Sequence, residues 1–425
     1  MRHFLLMVLL CLAISSVGQT GEKVYFIRAA KLYDPVTNKF LANQDIIVRG
    51  RKIEKVGPGL KKPEAAEEIN CKNCTITPGL IDAHTHVLTI QRMKDQLEED
   101  ILQHSDIERT LRAVSICKSY LDAGFTTIRD LGNSGQFLDM NLKRAIQKGW
   151  VEGPRMVISG PILSPEDGQF SNLSSHNNYV IDHEYRVIKN VEDARQAVKD
   201  HIARGVDVIK VVMGDGRITL SLEEVKMIVQ TAHTYGLKVT AHATYDQVID
   251  RALEAEVDGI EHGYGIADSL LEKMARKKVY LVPTIGNHDA YTRLFKDNEK
   301  ELTPEEQQGL KSFIENSEAI VKKAIEKGVM VVNGSDMYLF NKIPQGEAAK
   351  NTLDTYFEAC HNPADVLKTA TLNAAIACGI DGFTGIIKEN MAADIVAFEG
   401  DLEKDFLTSL YKVKLVMING VILRR

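Results

Sequence analysis

Short apolar runs alternate with helical patterns along most of this 425-residue chain, and this alternation limits the folds that are open to it. Counting from the run at 80–82, eight strand candidates are separated by helical stretches. The runs are rich in Val and Ile and mostly lack alternation with polar residues, as in 206–213, which is typical of strands buried on both faces of a parallel sheet. The sequence therefore predicts an α/β fold with a (β/α)8 TIM barrel, which we place at residues 78–385.

Helix boundaries between these runs are readable from the sequence. Ser105 with Glu108 forms a capping-box pattern before one helical stretch, and Ser221 with Glu224 forms another. The polar stretch at 289–317 is expected to be a long loop with a helix over the barrel mouth.

Both ends of the chain fall outside the barrel. Residues 19–77 contain short strand-like runs, and residues 386–425 contain similar runs followed by the hairpin signal Asn419-Gly420. We therefore predict one small β-sandwich domain, built from 19–77 and 386–425, beside the barrel.

The first residues have the pattern of a secretory signal peptide. Arg2 and His3 precede an apolar stretch at 4–17 that is shorter than the roughly 20 residues needed to cross a bilayer. We predict that residues 1–18 are removed and that the protein is exported, either to a periplasm or as a secreted protein, without a membrane span. An uncleaved anchor is the alternative.

Composition excludes some partners and leaves others open. The formal net charge is −6 and no Lys/Arg cluster stands out, which argues against nucleic acid. Cys71 and Cys74 could form a disulfide, although two thiols are the favoured interpretation. Nothing in the sequence sets the number of copies, and a homo-oligomer is compatible with it.

Polar residues at the ends of the predicted barrel strands form a candidate metal site. Residues at the carboxyl ends of barrel strands converge on one place. His84 and His86 end the first strand, and their separation puts both side chains on one side of it. Later strands end in Lys210, His242, His262 and Asp336. Each could alone be an ordinary hydrogen-bonding residue, but imidazoles with a carboxylate at these strand ends suit zinc or a similar ion.

These residues lie in segments by which the sequence resembles the amidohydrolase superfamily, within the branch of imidazolonepropionase-like and Xaa-Pro dipeptidase (prolidase)-like enzymes. The first segment is PGLIDAHTH at 78–86. The others are at 123–130, 153–155, 208–210, 241–243, 261–263, 334–336 and 370–375.

The resemblance implies a binuclear site. One divalent ion would be held by His84, His86 and Asp336, and the second by His242 and His262. Lys210 would bridge both ions as a carbamate, since a buried lysine beside cations loses its proton readily. Zinc is the expected metal, with manganese or cobalt as alternatives.

The resemblance also implies a mechanism. A hydroxide between the two ions would attack a planar C–N amide bond, because metal lowers the pKa of bound water toward about 7. Asp336 would be the catalytic acid/base as well as a ligand, taking a proton from the water and passing it to the leaving nitrogen.

Residues on loops near the barrel mouth are predicted to contact substrate: Arg129, Gln169, His176, Tyr245, Tyr264 and His288. Gln169, Thr244 and Tyr264 stand where relatives commonly carry other residues, which leaves the substrate open.

We expect a hydrolase of amide bonds in a small molecule or dipeptide, and an Xaa-Pro-type dipeptidase is the first hypothesis. Cyclic-amide hydrolysis of the imidazolonepropionase type and N-acyl amino acid hydrolysis are the alternatives, followed by ester or phosphotriester hydrolysis. The contrasting class is a non-catalytic barrel used as a scaffold, against which the full ligand set argues.

Overall fold

The computed structural model describes residues 22–93, 95–169, 173, 178–214 and 218–425. The predicted signal peptide at 1–18 and the predicted substrate contact His176 lie outside the described residues. No described helix is long and apolar enough to cross a membrane.

The strands of the described chain are β1 (Val24–Asp34), β2 (Lys39–Arg49), β3 (Lys52–Gly57), β4 (Glu67–Pro78), β5 (Leu80–Thr85), β6 (Phe125–Asp130), β7 (Arg155–Ile158), β8 (Ile162–Ser164), β9 (Tyr185–Val187), β10 (Val208–Val212), β11 (Lys238–Ala243), β12 (Gly259–His262), β13 (Tyr280–Val282), β14 (Ile395–Glu399), β15 (Val413–Ile418) and β16 (Val421–Arg424).

The helices are α1 (Leu97–Gln103), α2 (Asp106–Asp122), α3 (Leu138–Gln147), α4 (Asn178–Glu184), α5 (Val191–Arg204), α6 (Leu222–Thr234), α7 (Asp246–Glu254), α8 (Asp268–Lys277), α9 (His288–Asp297), α10 (Pro304–Glu326), α11 (Gln345–Ala349), α12 (Asn351–Cys360), α13 (Pro363–Thr369), α14 (Leu372–Ala377) and α15 (Phe406–Ser409).

Parallel strands form the barrel, in two hydrogen-bonded groups. β5, β6 and β7 pair in order, and β8, β10, β11, β12 and β13 pair in a second group that also carries β9 at its edge. β7 and β8 together are the third barrel strand, interrupted at Gly160-Pro161. Proline has no N–H to give to a ladder, and a Cβ on Gly160 would lie 2.5 Å from the ring of Phe137.

The eighth barrel strand is the apolar segment 330–333, which closes the ring although its pairing is short. The Val332 N–H donates to Leu281 O at 2.9 Å in β13, and the Ala83 N–H of β5 donates to Asn333 O at 2.9 Å. The last strand therefore joins β13 to β5, and the predicted eight-stranded barrel is confirmed.

Helix starts follow the capping patterns in the sequence. Ser105 caps α2 and Ser221 caps α6, each with its predicted glutamate partner. The stretch at 289–317 differs from the expectation, because it is mainly helix, in α9 and α10. Asn287 caps α9 by accepting from the Ala290 N–H, and Thr303 caps α10.

Strands from both chain ends form one mixed sheet of order β16-β15-β14-β4-β1-β2-β3. The sheet folds back on itself, since the Ile53 N–H of β3 donates to Met391 O at 3.0 Å just before β14. Its inner face encloses a core to which both ends contribute, such as Ile27 and Ile395, while Phe398 packs with the barrel helices. Cys71 and Cys74 are buried here as free thiols.

A fully buried ion pair fixes the loop that follows β6. Arg109 of α2 contacts Glu184 of α4 with Nη1 and Oε1 2.6 Å apart, and both side chains are fully buried. Arg109 Nη2 also donates to Asn133 O at 2.8 Å, and Glu184 Oε2 accepts from the Gly135 N–H at 3.0 Å. The pair thus holds 133–135 in place beside the barrel mouth.

We expect Glu184→Gln to lower the free energy of unfolding by about 3 kcal/mol, because the buried guanidinium of Arg109 loses its counter-charge. Thermal unfolding followed by circular dichroism, at one scan rate for all variants, measures the loss. The matched control is Glu192→Gln, in an exposed pair with Arg195, for which we expect a change below about 0.5 kcal/mol. Equal stability of both variants would contradict this assignment.

Candidate metal centre

The six ligand-type side chains predicted from the strand ends converge on one cavity of about 240 Å³. His84 lies in β5 and His86 follows that strand directly. The others come from β10, β11 and β12 and from the loop after the eighth strand, and are Lys210, His242, His262 and Asp336. They meet because the carboxyl ends of parallel barrel strands open on one face.

Asp336 lies at the centre of this group. Its Oδ1 is 3.3 Å from His86 Nε2 and 3.7 Å from His84 Nε2. His84, His262 and Asp336 can each present a ligand atom within 4.8 Å of the other two. The rings of His242 and His262 have centroids 4.3 Å apart. Lys210 is 2% exposed.

Hydrogen bonds to the far nitrogen of each ring set the tautomer. His84 Nδ1 lies 2.7 Å from Glu261 Oε2, and His86 Nδ1 lies 2.7 Å from Gly132 O. Carboxylate and carbonyl oxygens only accept, so both Nδ1 atoms carry a proton and both Nε2 lone pairs face the cavity. This is the usual arrangement of a histidine that binds metal.

Three buried side-chain atoms of the cavity residues have no hydrogen-bond partner in the described part of the chain: His84 Nε2, Asp336 Oδ1 and Asn133 Oδ1. Buried polar atoms are normally paired, so unpaired ones call for an explanation. A divalent ion shared by nitrogen and carboxylate ligands supplies one. The residues present therefore fit a metal ion.

The protonation states of His84 and Asp336 agree with this interpretation, whereas burial would lower the pKa of His86 but the hydrogen bond to Asp336 raises it above its usual value. Burial is the largest cause that lowers the pKa of His84 to about 4, which keeps the imidazole neutral. Burial would raise the pKa of Asp336, but His84 and His86 hold it below its usual value. Neutral imidazoles and an ionised carboxylate are the forms that bind metal.

A second layer of polar groups supports the ligands from inside the barrel. Asp82 Oδ1 accepts from the backbone N–H of His84 at 3.1 Å and from that of Ser335 at 2.9 Å, which ties the first strand to the loop that carries Asp336. Glu261 holds His84, and Arg129 Nη2 donates to Glu261 Oε1 at 2.7 Å.

Arg129 does not contact the cavity, which corrects the prediction that it binds substrate. Its side chain is fully buried in β6, beneath the ligands. Its donors are occupied by Ala83 O at 2.6 Å, by the Tyr280 hydroxyl at 2.9 Å and by Glu261. Burial would raise the pKa of Glu261, but Arg129 and His84 hold it at about 2, so Glu261 is a carboxylate.

The other predicted substrate contacts divide into two groups. Gln169 lines the cavity. Tyr264, Tyr245 and His288 lie outside the described cavity wall. The Tyr264 hydroxyl is behind the ligand His262, 3.3 Å from Nδ1, and Tyr245 precedes α7, where its hydroxyl donates to Gly214 O at 3.4 Å. His288 begins α9 with a side chain that is 68% exposed.

Several cavity residues were not predicted. Most follow the first barrel strand; one follows the second, one lies in β8 and one follows the last strand, and together they are Gln91, Gln96, Leu97, Glu98, Asn133, Ile162 and Tyr338. The sequence does contain a signal for the residues at 91–98, because they come shortly after His84 and His86 at the end of the first strand. The loop after each barrel strand borders the barrel mouth.

Two ligands and one supporting residue have left-handed backbone conformations. The φ angles are +73° at His262, +51° at Asp336 and +52° at Thr284, whose hydroxyl lies 2.7 Å from His262 Nδ1. Such conformations cost about 1–3 kcal/mol each and occur mostly at functional sites, where they aim a side chain.

Comparison with known proteins identifies the family of the chain and its relatives. The sequence model of the amidohydrolase family matches residues 75–423. The chain belongs to the amidohydrolase family. It is similar to ochratoxinase from Aspergillus niger, with 24% identity over 410 residues that cover 90% of this chain and 83% of that protein. It is also similar to imidazolonepropionase from Treponema denticola, with 24% identity over 87% of this chain and 89% of that one.

A solved prolidase complexed with N-methylphosphonate-L-proline has the same fold as this amidohydrolase. The TM-score is 0.81 and the identity 25%, over 95% of this chain and all of the other. The barrel with its domain of end strands is therefore the family fold.

We expect Glu261→Gln to weaken metal retention by about 10–100-fold, because His84 loses the ionised acceptor that orients its ring. The measurement is the metal content per protein after dialysis against graded chelator. Glu254→Gln, at an exposed position of α7, is the matched control and should retain metal as the wild type does. Equal retention in both variants, with unchanged circular dichroism, would remove Glu261 from this role.

Proposed function

We propose that this amidohydrolase is a binuclear metal-dependent hydrolase of C–N amide bonds. The observation that carries the proposal is the set of ring nitrogens aimed at Asp336, with His84 Nε2 and Asp336 Oδ1 making no hydrogen bond within the described part of the chain. In a non-catalytic scaffold barrel, buried polar atoms without hydrogen bonds would lower stability and serve no function.

One ion would be held by His84, His86 and Asp336, and the second by His242 and His262. Lys210, as a carbamate formed from its neutral amine and carbon dioxide, would supply the bridging anion that two neighbouring cations need. Zinc is the first candidate, and manganese and cobalt suit the same ligands. When bound, the ions would polarise the substrate carbonyl and make a water nucleophilic near neutral pH.

Asp336 would move the proton in this reaction. Its carboxylate is ionised and borders the cavity, so it can accept a proton from the attacking water and return it to the leaving nitrogen. Glu261 and Gly132 hold the rings of His84 and His86 in fixed orientations throughout.

The substrate class is a small amide. A cavity of about 240 Å³ is below the usual range for drug-sized ligands, which favours a dipeptide or a molecule of similar size. The likeness to a prolidase that binds a proline phosphonate supports an Xaa-Pro-type dipeptidase. Hydrolysis of a cyclic amide is the second candidate, supported by the imidazolonepropionase relative.

We expect Asp336→Asn to lower kcat by roughly 10²–10⁴-fold, because the amide cannot accept the proton of the attacking water. The assay is a panel of Xaa-Pro dipeptides and cyclic amides with zinc- or manganese-loaded protein. Metal content is measured in parallel, since Asp336 is also a proposed ligand. Asp289→Asn, whose side chain is 96% exposed, is the matched control.

Turnover by Asp336→Asn at the wild-type rate would refute the role of Asp336. The proposed function as a whole would be refuted if the purified protein bound no metal and hydrolysed none of these amides after metal loading.

A further inference from the structure

The cavity wall contains a carboxylate that the metal site does not use. Glu98, in the first turn of α1, borders the same cavity as His84 and Asp336. It belongs to the segment after the first barrel strand that also contributes Gln91 and Gln96 to the wall.

Glu98 differs from its two acidic neighbours, which are occupied within the protein. Glu99 accepts from the Gln96 N–H at 3.5 Å, and Asp100 accepts from Arg112 at 2.6 and 2.7 Å. The Glu98 side chain makes no hydrogen bond or ion pair within the part of the chain that the structure describes.

Helix stabilisation alone does not explain this position. An acid in the first turn of a helix interacts favourably with the helix dipole. Glu223 of α6 and Glu305 of α10 occupy the corresponding place in their helices, and both are exposed. Neither lies on the described wall of the metal cavity, so the location of Glu98 is a separate feature.

The charges on the wall indicate what Glu98 can bind. Among the described wall residues Lys210 is the one Lys or Arg, and it belongs to the ligand group. Apart from Glu98 and the candidate ligands, the wall residues that the structure describes are neutral: Gln91, Gln96, Leu97, Asn133, Ile162, Gln169 and Tyr338. A substrate cation would therefore find an unpaired carboxylate on this part of the wall.

We propose that Glu98 binds the α-ammonium group of the substrate, so that the enzyme prefers dipeptides with a free amino terminus to N-acyl amino acids. This rests on the proposed function, because it names the substrate class of the same cavity. The α-ammonium is two bonds from the carbonyl that the metal site would activate, and Glu98 borders the same cavity as His84 and Asp336.

The test compares three substrates with metal-loaded protein: Ala-Pro, N-acetyl-Ala-Pro and N-acetyl-Lys-Pro. The first has an α-ammonium, the second has no ammonium, and the third has one only on its side chain. We expect the wild type to prefer Ala-Pro, and Glu98→Gln to reduce kcat/KM for Ala-Pro by roughly 10–100-fold, as for loss of a charged hydrogen bond. For N-acetyl-Ala-Pro, the kcat/KM of Glu98→Gln should stay within about two-fold of the wild-type value.

Glu223→Gln is the matched control, since Glu223 occupies in α6 the position that Glu98 occupies in α1, but outside the cavity wall. This variant should leave kcat/KM for all three substrates unchanged. An Ala-Pro preference that survives Glu98→Gln would overturn the inference. A Glu98-dependent preference for N-acetyl-Lys-Pro over Ala-Pro would overturn the α-ammonium assignment and make the side-chain cation the ligand.

A binding measurement separates this inference from the proposed function. Calorimetric titration with L-alaninamide and with N-acetyl-L-alaninamide needs no turnover. If the protein hydrolyses none of the substrates but binds L-alaninamide in a Glu98-dependent way, the proposed function fails, and with it the substrate preference, while the binding of an ammonium group by Glu98 stands. If L-alaninamide binds equally to wild type and Glu98→Gln, or to neither, the inference fails.

Discussion

The contact between His84 and Glu261 is the interaction on which the rest of the site depends. Glu261 is a fully buried carboxylate that contacts His84 of β5, Arg129 of β6 and Thr240 of β11, while it belongs to β12 itself. Removing a buried charge from a paired group is costly, because its partner is then left uncompensated. One carboxylate thus joins four barrel strands and holds the ring of a ligand at the point where those strands end.

The backbone near the site carries strain that this packing sustains. His262, Asp336 and Thr284 all have positive φ, and Thr284 is β-branched, which makes that conformation especially unfavourable. Neighbouring contacts outweigh the strain: the Asp336 N–H donates to His84 O at 2.8 Å, and His262 Nδ1 contacts Thr284. These contacts hold His84, His262 and Asp336 in place within the protein itself, so that the proposed metal ion would not have to order them.

The sequence predicted the barrel and the convergence of its strand ends because both follow from local patterns. Buried parallel strands are continuous apolar runs, and a polar residue at the end of such a run points into the mouth. The prediction for Arg129 was wrong because a strand buried on both faces has no alternation of polar and apolar residues. The sequence therefore does not show on which side of the strand the Arg129 side chain lies. The positions of His288 and Tyr245 could not be predicted in this way because both residues lie at helix starts. Tertiary packing sets the tilt of a helix and therefore the direction of these side chains. Export and the number of copies stay predictions.

The substrate is the property that is hardest to predict from this sequence, because the candidate metal ligands do not recognise the part of a substrate that distinguishes it from others. A metal centre built from imidazoles and carboxylates recognises a carbonyl, which every amide has, so it contributes little to discrimination. Discrimination comes from groups that bind the remainder of the substrate, on loops such as 91–98 and the one with Gln169. The segment 91–96 and the loop with Gln169 carry no strand or helix periodicity, and Leu97 and Glu98 lie in the first turn of the short helix α1. The direction of these side chains therefore follows from the barrel beneath them. On the wall of this cavity a hydrogen bond from a substrate cation to Glu98 would contribute about as much as two neutral ones, since charged hydrogen bonds are roughly twice as strong as neutral ones.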